Sequence, residues 1–438
     1  MGRQSTYPPT SVALDLELPA PIRVRRKPEI CVPQFTQARE SHAWWLRAVN
    51  RVGGRWEPFG RPNAEAYWSS AQRAEPDAGD PTPDARAALS ALVDSLNEDA
   101  ALNFIGKIAA RIDCTRMATT HLRIEKALRE TSGIVDVELP APLFVLGLFR
   151  SGTTFLHRLL AQDPDSRTLP HWESFDPVHT PAGPEARQRK LTFTLGLADV
   201  LSPNIKAIHP MDAYQTDECR ALFTNVFRTL QFNVQYRVPS YVDWLLGQDA
   251  RIAYRHYRRQ LQSIHYHRPF GKRFVLKDPT HMFFVGTITE IFPNARFVFI
   301  HRDPVDTLSS ICSLYGYARS VFSSDVDAKA LGGELPNSYM MSMLESAVAA
   351  VDRLPSNRVA HIRSPDLSRD PVRAVAAAYR DLGMELSEDA STAMQAYVEA
   401  KREKSSPRHI HSAEGFALDS GAIHERFADY CDRFDLLS

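Results

Sequence analysis

One segment constrains this chain more than any other: PLFVLGLF at 142–149, followed directly by RSGTTFLHRLLAQDP at 150–164. An uninterrupted apolar run of this length reads as a strand buried on both faces. Such a strand needs cover on both sides, which helices supply in a parallel sheet. Three further runs have the same texture: RFVLK at 273–277, RFVFIH at 296–301 and RVAHI at 358–362. Each precedes a stretch with apolar residues at i, i+3 and i+4 spacing. Strands alternating with helices imply βαβ units. The expected class is therefore α/β, with a P-loop-like parallel β-sheet flanked by helices, a helical N-terminal extension and a helical insertion.

The rest of the chain is organised around that core. Residues 1–85 are rich in Pro and Gly and read as an irregular arm. One short helix is expected around Trp44–Val49 and a loop near Asp77–Pro83. The basic cluster at 23–27 reads as a solvated surface or an intramolecular clamp. Residues 86–438 form the main α/β domain, with a helical lead-in at 86–138 and a mostly helical insertion at about 180–268. No internal repeat is visible.

Composition excludes several classes. The 52 Lys and Arg balance 52 Asp and Glu, which argues against nucleic-acid binding through bulk positive charge. The five cysteines are scattered and never C-x-x-C, so neither a zinc site nor a disulfide scaffold is expected, and a reducing cytoplasm fits. No apolar run approaches the roughly 18–20 residues of a membrane span. The N-terminus lacks a secretory apolar core, and Gly2 with Thr6 is only a loose match to an acylation pattern. Self-association is left open.

Two motifs carry chemistry. Gly147, Arg150, Ser151, Gly152, Thr153 and Thr154 lie between a strand and a helix, with the spacing of a phosphate loop. Backbone N–H groups at the helix start favour an anion there. Gly152 lets backbone approach it closely, the hydroxyls add donors, and Arg150 adds a guanidinium fork. Thr153 stands where a nucleotide-hydrolysing loop has lysine. The second motif is HRDP at 301–304. Arg302 closes a strand, Asp303 and Pro304 open a helix, and Ser310 lies eight residues after Arg302. Together the motifs suggest a ligand with two separated phosphate groups, bound at the carboxyl edge of the sheet.

GLFRSGTT (147–154), LKDPTH (276–281) and HRDP (301–304), in this order, resemble the largely bacterial branch of the sulfotransferases that use 3′-phosphoadenosine 5′-phosphosulfate (PAPS). The resemblance extends through HWESFDP, DECRALF and the closing GFALDSGAIHERFADYCDRFDL, covering about residues 89–438. It implies PAPS as co-substrate, its desulfated product PAP, a small-molecule acceptor and no metal. It places the 5′-phosphosulfate on Arg150–Thr154 and the 3′-phosphate on Arg302 and Ser310. A basic residue of the segment from Lys401 to Arg408, such as Arg408, could close over it; no motif fixes which one, and a solvated helix end is the alternative. The chain departs from the family pattern at Ser364–Leu367, so Ser364 gains no role.

The resemblance also implies catalytic roles. Arg150 and Lys277 would neutralise charge on the leaving oxygen. Glu173 is the first candidate for the base that takes the acceptor proton, His281 the second and Glu218 the third. His157 reads as structural. Aromatics of the insertion and the later helices, among them Phe193, Phe223, Tyr241 and Tyr315, could line an apolar pocket for a hydroxyl acceptor, less readily an amine. Two other functions share these motifs: an ATP-dependent kinase of P-loop type, and a nucleotide-binding scaffold without catalysis.

Overall fold

The computed structural model describes residues 31–37, 44–54, 60–180, 183–208, 211–403 and 408–437. Its centre is a five-stranded sheet built from β2 (Leu143–Leu146), β3 (Ser166–Arg167), β4 (Arg273–Lys277), β5 (Arg296–His301) and β6 (Val359–Arg363), in the order β3-β4-β2-β5-β6. Every neighbouring pair is parallel. Alternate side chains of the central strands enter different cores. Phe144, Leu146, Phe297 and Phe299 join the larger cluster, whereas Leu143, Val145, Val298 and Ile300 join the smaller one on the other face. That is why these strands read as continuous apolar runs rather than as alternation.

Parallel pairing puts the carboxyl ends of β2, β4 and β5 on one edge. Pairing Val145 with both Lys277 and Val298 aligns these strands. The segments leaving that edge are the phosphate loop, the turn beginning at Asp278 and the helix Pro304–Phe322. The insertion folds as helices, the longest being Pro184–Leu201 and Ala250–His267. The two-residue edge strand β3 was too short to give a periodic signal.

The expected irregular arm needs correction where it is described. The first helix runs Trp44–Gly53, and a second spans Ala64–Ala74. Asn63 caps the second by accepting from the Ala66 N–H, and Tyr67, Trp68 and Ala71 are its buried residues. Its apolar stripe is narrow and lies in a polar stretch, so composition concealed it. Trp68 meets the rings of His121 and Phe227 edge-on. Further upstream, β1 (Cys31–Val32) pairs in parallel with β7 (Arg408–His409), joining two segments far apart in the sequence. The basic cluster at 23–27 lies outside the described residues. No helix among the described residues is long and apolar enough to cross a membrane.

Candidate active site

The phosphate loop is built on unusual backbone. Gly147 has φ +150°, and a Cβ there would lie 2.7 Å from the Ser151 Oγ and 2.8 Å from the Thr153 Cγ2. Gly152, at φ +104°, is the N-cap of the helix Thr153–Leu160. Arg150 sits between them at φ +69°, a left-handed conformation that costs a side-chain-bearing residue energy. Ser151 uses its hydroxyl on the loop itself, donating to the Leu148 carbonyl at 2.7 Å.

The two sequence motifs meet at Arg150. Its Nε donates to the Ser310 Oγ at 3.2 Å and its guanidinium to the Ile208 carbonyl at 3.2 Å. Arg302 donates to the Arg150 carbonyl at 2.7 Å, and its other nitrogen lies 3.5 Å from Asp306. Among the described residues no carboxylate pairs with Arg150. Burial and, after it, the neighbouring Arg302 lower the pKa of its guanidinium. Two arginines brought together in this way, one without a counter-charge, form a site that an oxyanion would stabilise.

Lys277 ends β4 and is buried, at 1% exposure. Its ammonium reaches the Thr154 Oγ1 at 3.1 Å and the Glu218 Oε1 at 2.6 Å. The other Glu218 oxygen lies 3.2 Å from the Arg220 Nε. The segment carrying Glu218 is held along the strand end by the Cys219 N–H, which donates to the Lys277 carbonyl at 2.8 Å. Burial, and next the charge of Glu218, raise the Asp278 carboxyl to about 6.

The other expected residues lie elsewhere. Glu173 is buried between two guanidiniums, 3.1 Å from Arg167 and 3.5 Å from Arg268, and neither Lys277 nor Arg150 is among its described partners. His281 is buried below the sheet edge. Its Nδ1 meets the Tyr254 hydroxyl at 2.7 Å, its Nε2 has no hydrogen-bond partner, and burial lowers its pKa to about 3. His157 contacts the Val275 carbonyl at 3.0 Å through its Nε2. Arg408 is placed only by its backbone, in β7.

The sequence reading missed His411. Its Nδ1 lies 2.8 Å from the Ser309 Oγ, and burial followed by the Arg302 charge lowers its pKa. No motif marks it; pairing of β7 with β1 brings it there. A small cavity lined by Phe223, Leu245, Ala253, Tyr254 and Thr280, with Arg228 and Asp249 also in its wall, lies beside the turn that follows Lys277. Of the aromatics named above, Phe223 lines this cavity, Tyr241 and Tyr315 are core residues, and Phe193 is exposed.

A parallel sheet with a glycine-rich loop, a strand-end arginine and a buried lysine on one edge defines a P-loop-like α/β protein. The family model of the sulfotransferase family matches residues 142–388, more than half of the chain. The protein belongs to that family.

Among its relatives are the omega-hydroxy-beta-dihydromenaquinone-9 sulfotransferases Stf3 of Mycobacterium bovis and Mycobacterium tuberculosis, each 27% identical over 266 residues. That alignment takes in 56% of this chain and 63% of each relative. The crystal structure of sulfotransferase STF1 from Mycobacterium tuberculosis superposes with a TM-score of 0.73 at 29% identity, covering 84% of this chain and 98% of that one. Sulfotransferase STF9 from Mycobacterium avium shares the fold, with a TM-score of 0.75 at 23% identity over 86% of this chain and 98% of its own.

Proposed function

We propose that this protein moves a sulfuryl group from PAPS to the hydroxyl of a small apolar or aromatic acceptor. The observation that carries the reading is the convergence of Arg150, Arg302 and Ser310 beside the buried Lys277. The family and the name of the Stf3 relatives, whose acceptor is a hydroxylated lipid quinone, support it.

When bound, PAPS supplies an electrophilic sulfuryl group on a phosphate leaving group. The residues present fit such a ligand. Arg150, Gly152, Thr153 and Thr154 would hold its 5′ end; Arg302 and Ser310 would hold the 3′-phosphate. Lys277 supplies positive charge where negative charge grows on the leaving oxygen, a contribution largest in the transition state. Glu218 aims Lys277 through their 2.6 Å contact. In this reading Glu218, rather than Glu173, also takes the acceptor proton. It is the carboxylate beside the lysine, whereas two guanidiniums engage Glu173. As Lys277 turns to the leaving oxygen, one Glu218 oxygen is released for the acceptor.

Calorimetry with PAP and with ATP–Mg²⁺ tests the co-substrate. PAP should bind without metal and far more tightly than ATP–Mg²⁺. The reverse order would favour a kinase. Binding of PAP with no transfer of ³⁵S from labelled PAPS to any apolar alcohol or phenol would favour a scaffold.

A further inference from the structure

The helix Ala250–His267 has two unlike sides. Tyr254, Tyr257, Leu261 and Ile264 are buried against the core. Arg251, Arg255, Arg258 and Arg259 are exposed on the other side, within an arc of about 100° at 3.6 residues per turn. The helix contains no Asp or Glu. Arg251 pairs with Asp249 at 2.9 Å, while Arg255, Arg258 and Arg259 have no ion pair among the described residues. The acids facing the ridge are Asp249, near Arg251 and Arg255, Glu290 near Arg251, Glu125, which lies 3.5 Å from His256, near Arg259, and the exposed Asp136 beside Val135. In a chain with no net charge, this is a strongly cationic surface.

The ridge ends in apolar side chains. Tyr266, on the same arc, is 44% exposed, and Phe270, just beyond, is 56% exposed. Val135, 48% exposed, lies alongside, because Gln262 donates to its carbonyl at 2.9 Å. We propose that this face docks the protein on an anionic lipid surface. The arginines would meet the headgroups, and Val135, Tyr266 and Phe270 would enter the interfacial layer. A nucleic acid would satisfy the arginines and leave the three apolar groups in water. A second copy of the same ridge would repel.

The cavity described above begins at the same helix, with Asp249, Ala250 and Ala253 in its wall. It lies on the buried side of that helix, away from the arginine ridge, so the docking proposal stands on the surface alone and does not rest on the acceptor reading.

Vesicle co-sedimentation with the full chain tests the proposal without turnover. Binding should be strong on vesicles with about one third phosphatidylglycerol, weak on pure phosphatidylcholine, and should fall as salt is raised. The variant carrying Arg255→Gln, Arg258→Gln and Arg259→Gln should lose roughly a hundredfold in affinity, at about 1 kcal/mol per arginine. Phe270→Ser should lower it further. The same charge loss through Arg369→Gln, Arg373→Gln and Arg380→Gln, beside the smaller core across the sheet, should have little effect. Equal binding to neutral vesicles, or equal losses in both triple variants, would overturn the proposal. So would a duplex oligonucleotide that binds more tightly than the anionic vesicles and displaces them. Circular dichroism of each variant checks folding, and the salt dependence of the unaltered chain decides independently.

Discussion

Replacing Arg150 by Ala and by Gly separates what its backbone costs from what its side chain does. At φ +69° an alanine keeps a left-handed strain of roughly 1–2 kcal/mol. Glycine escapes that strain but gives up about 0.5–1 kcal/mol of backbone entropy on folding. Both variants lose the same side-chain contacts, to Ser310 and to the Ile208 carbonyl. Arg150→Gly should therefore be the more stable of the two by about 0.5–1 kcal/mol, read from urea unfolding. Affinity for PAP should fall equally in both. A lost charge-assisted hydrogen bond is worth about 1.5–3 kcal/mol, which is roughly 10- to 150-fold by titration calorimetry. An alanine variant as stable as the glycine variant would remove the strain argument. PAP affinities within about threefold of the unaltered protein would remove Arg150 from the anion site.

Three variants sort the roles around Lys277. Lys277→Met should lower kcat far more than it weakens PAPS binding, and a kcat within about threefold of the unaltered enzyme would exclude transition-state stabilisation. Glu218→Gln should lose roughly 10²–10⁴ in turnover, less for acidic phenols, while Glu173→Gln stays near normal; the opposite pattern would return the base to Glu173. Acid lability follows from His281. Burial lowers its pKa from 6.5 to about 3, so protons bind the unfolded chain first as pH falls. Its contribution to stability is thus full above pH 6.5 and is lost between there and about pH 3, at up to about 1.4 kcal/mol per pH unit. His281→Asn should flatten the pH dependence of urea midpoints between pH 6.5 and 4 by that amount, and an unchanged slope would contradict it.

Local signals made much of the site readable. The strand feeding the phosphate loop, the glycines around Arg150 and the strand-end Lys277 and Arg302 each sit in a contiguous motif. Their chemistry depends on the residues immediately beside them. A strand covered on both faces must be apolar throughout, so the class of fold was readable for the same reason. Short or narrow elements gave no comparable periodicity: β3 has two residues, and the helix Ala64–Ala74 shows only a thin apolar stripe.

Which carboxylate meets Lys277 was beyond the sequence, because both glutamates lie far from it along the chain. Glu173 stands close after the phosphate-loop helix, yet Arg167 and Arg268 engage it. Glu218 reaches Lys277 because backbone bonding lays its segment along the end of β4. His411 arrives from the far end of the chain, carried by the pairing of β7 with β1. Residue types and local spacing thus determined the fold class and brought out the two motifs of the candidate site. Tertiary packing alone decided which distant charges face one another, since an ion pair depends on separation in space.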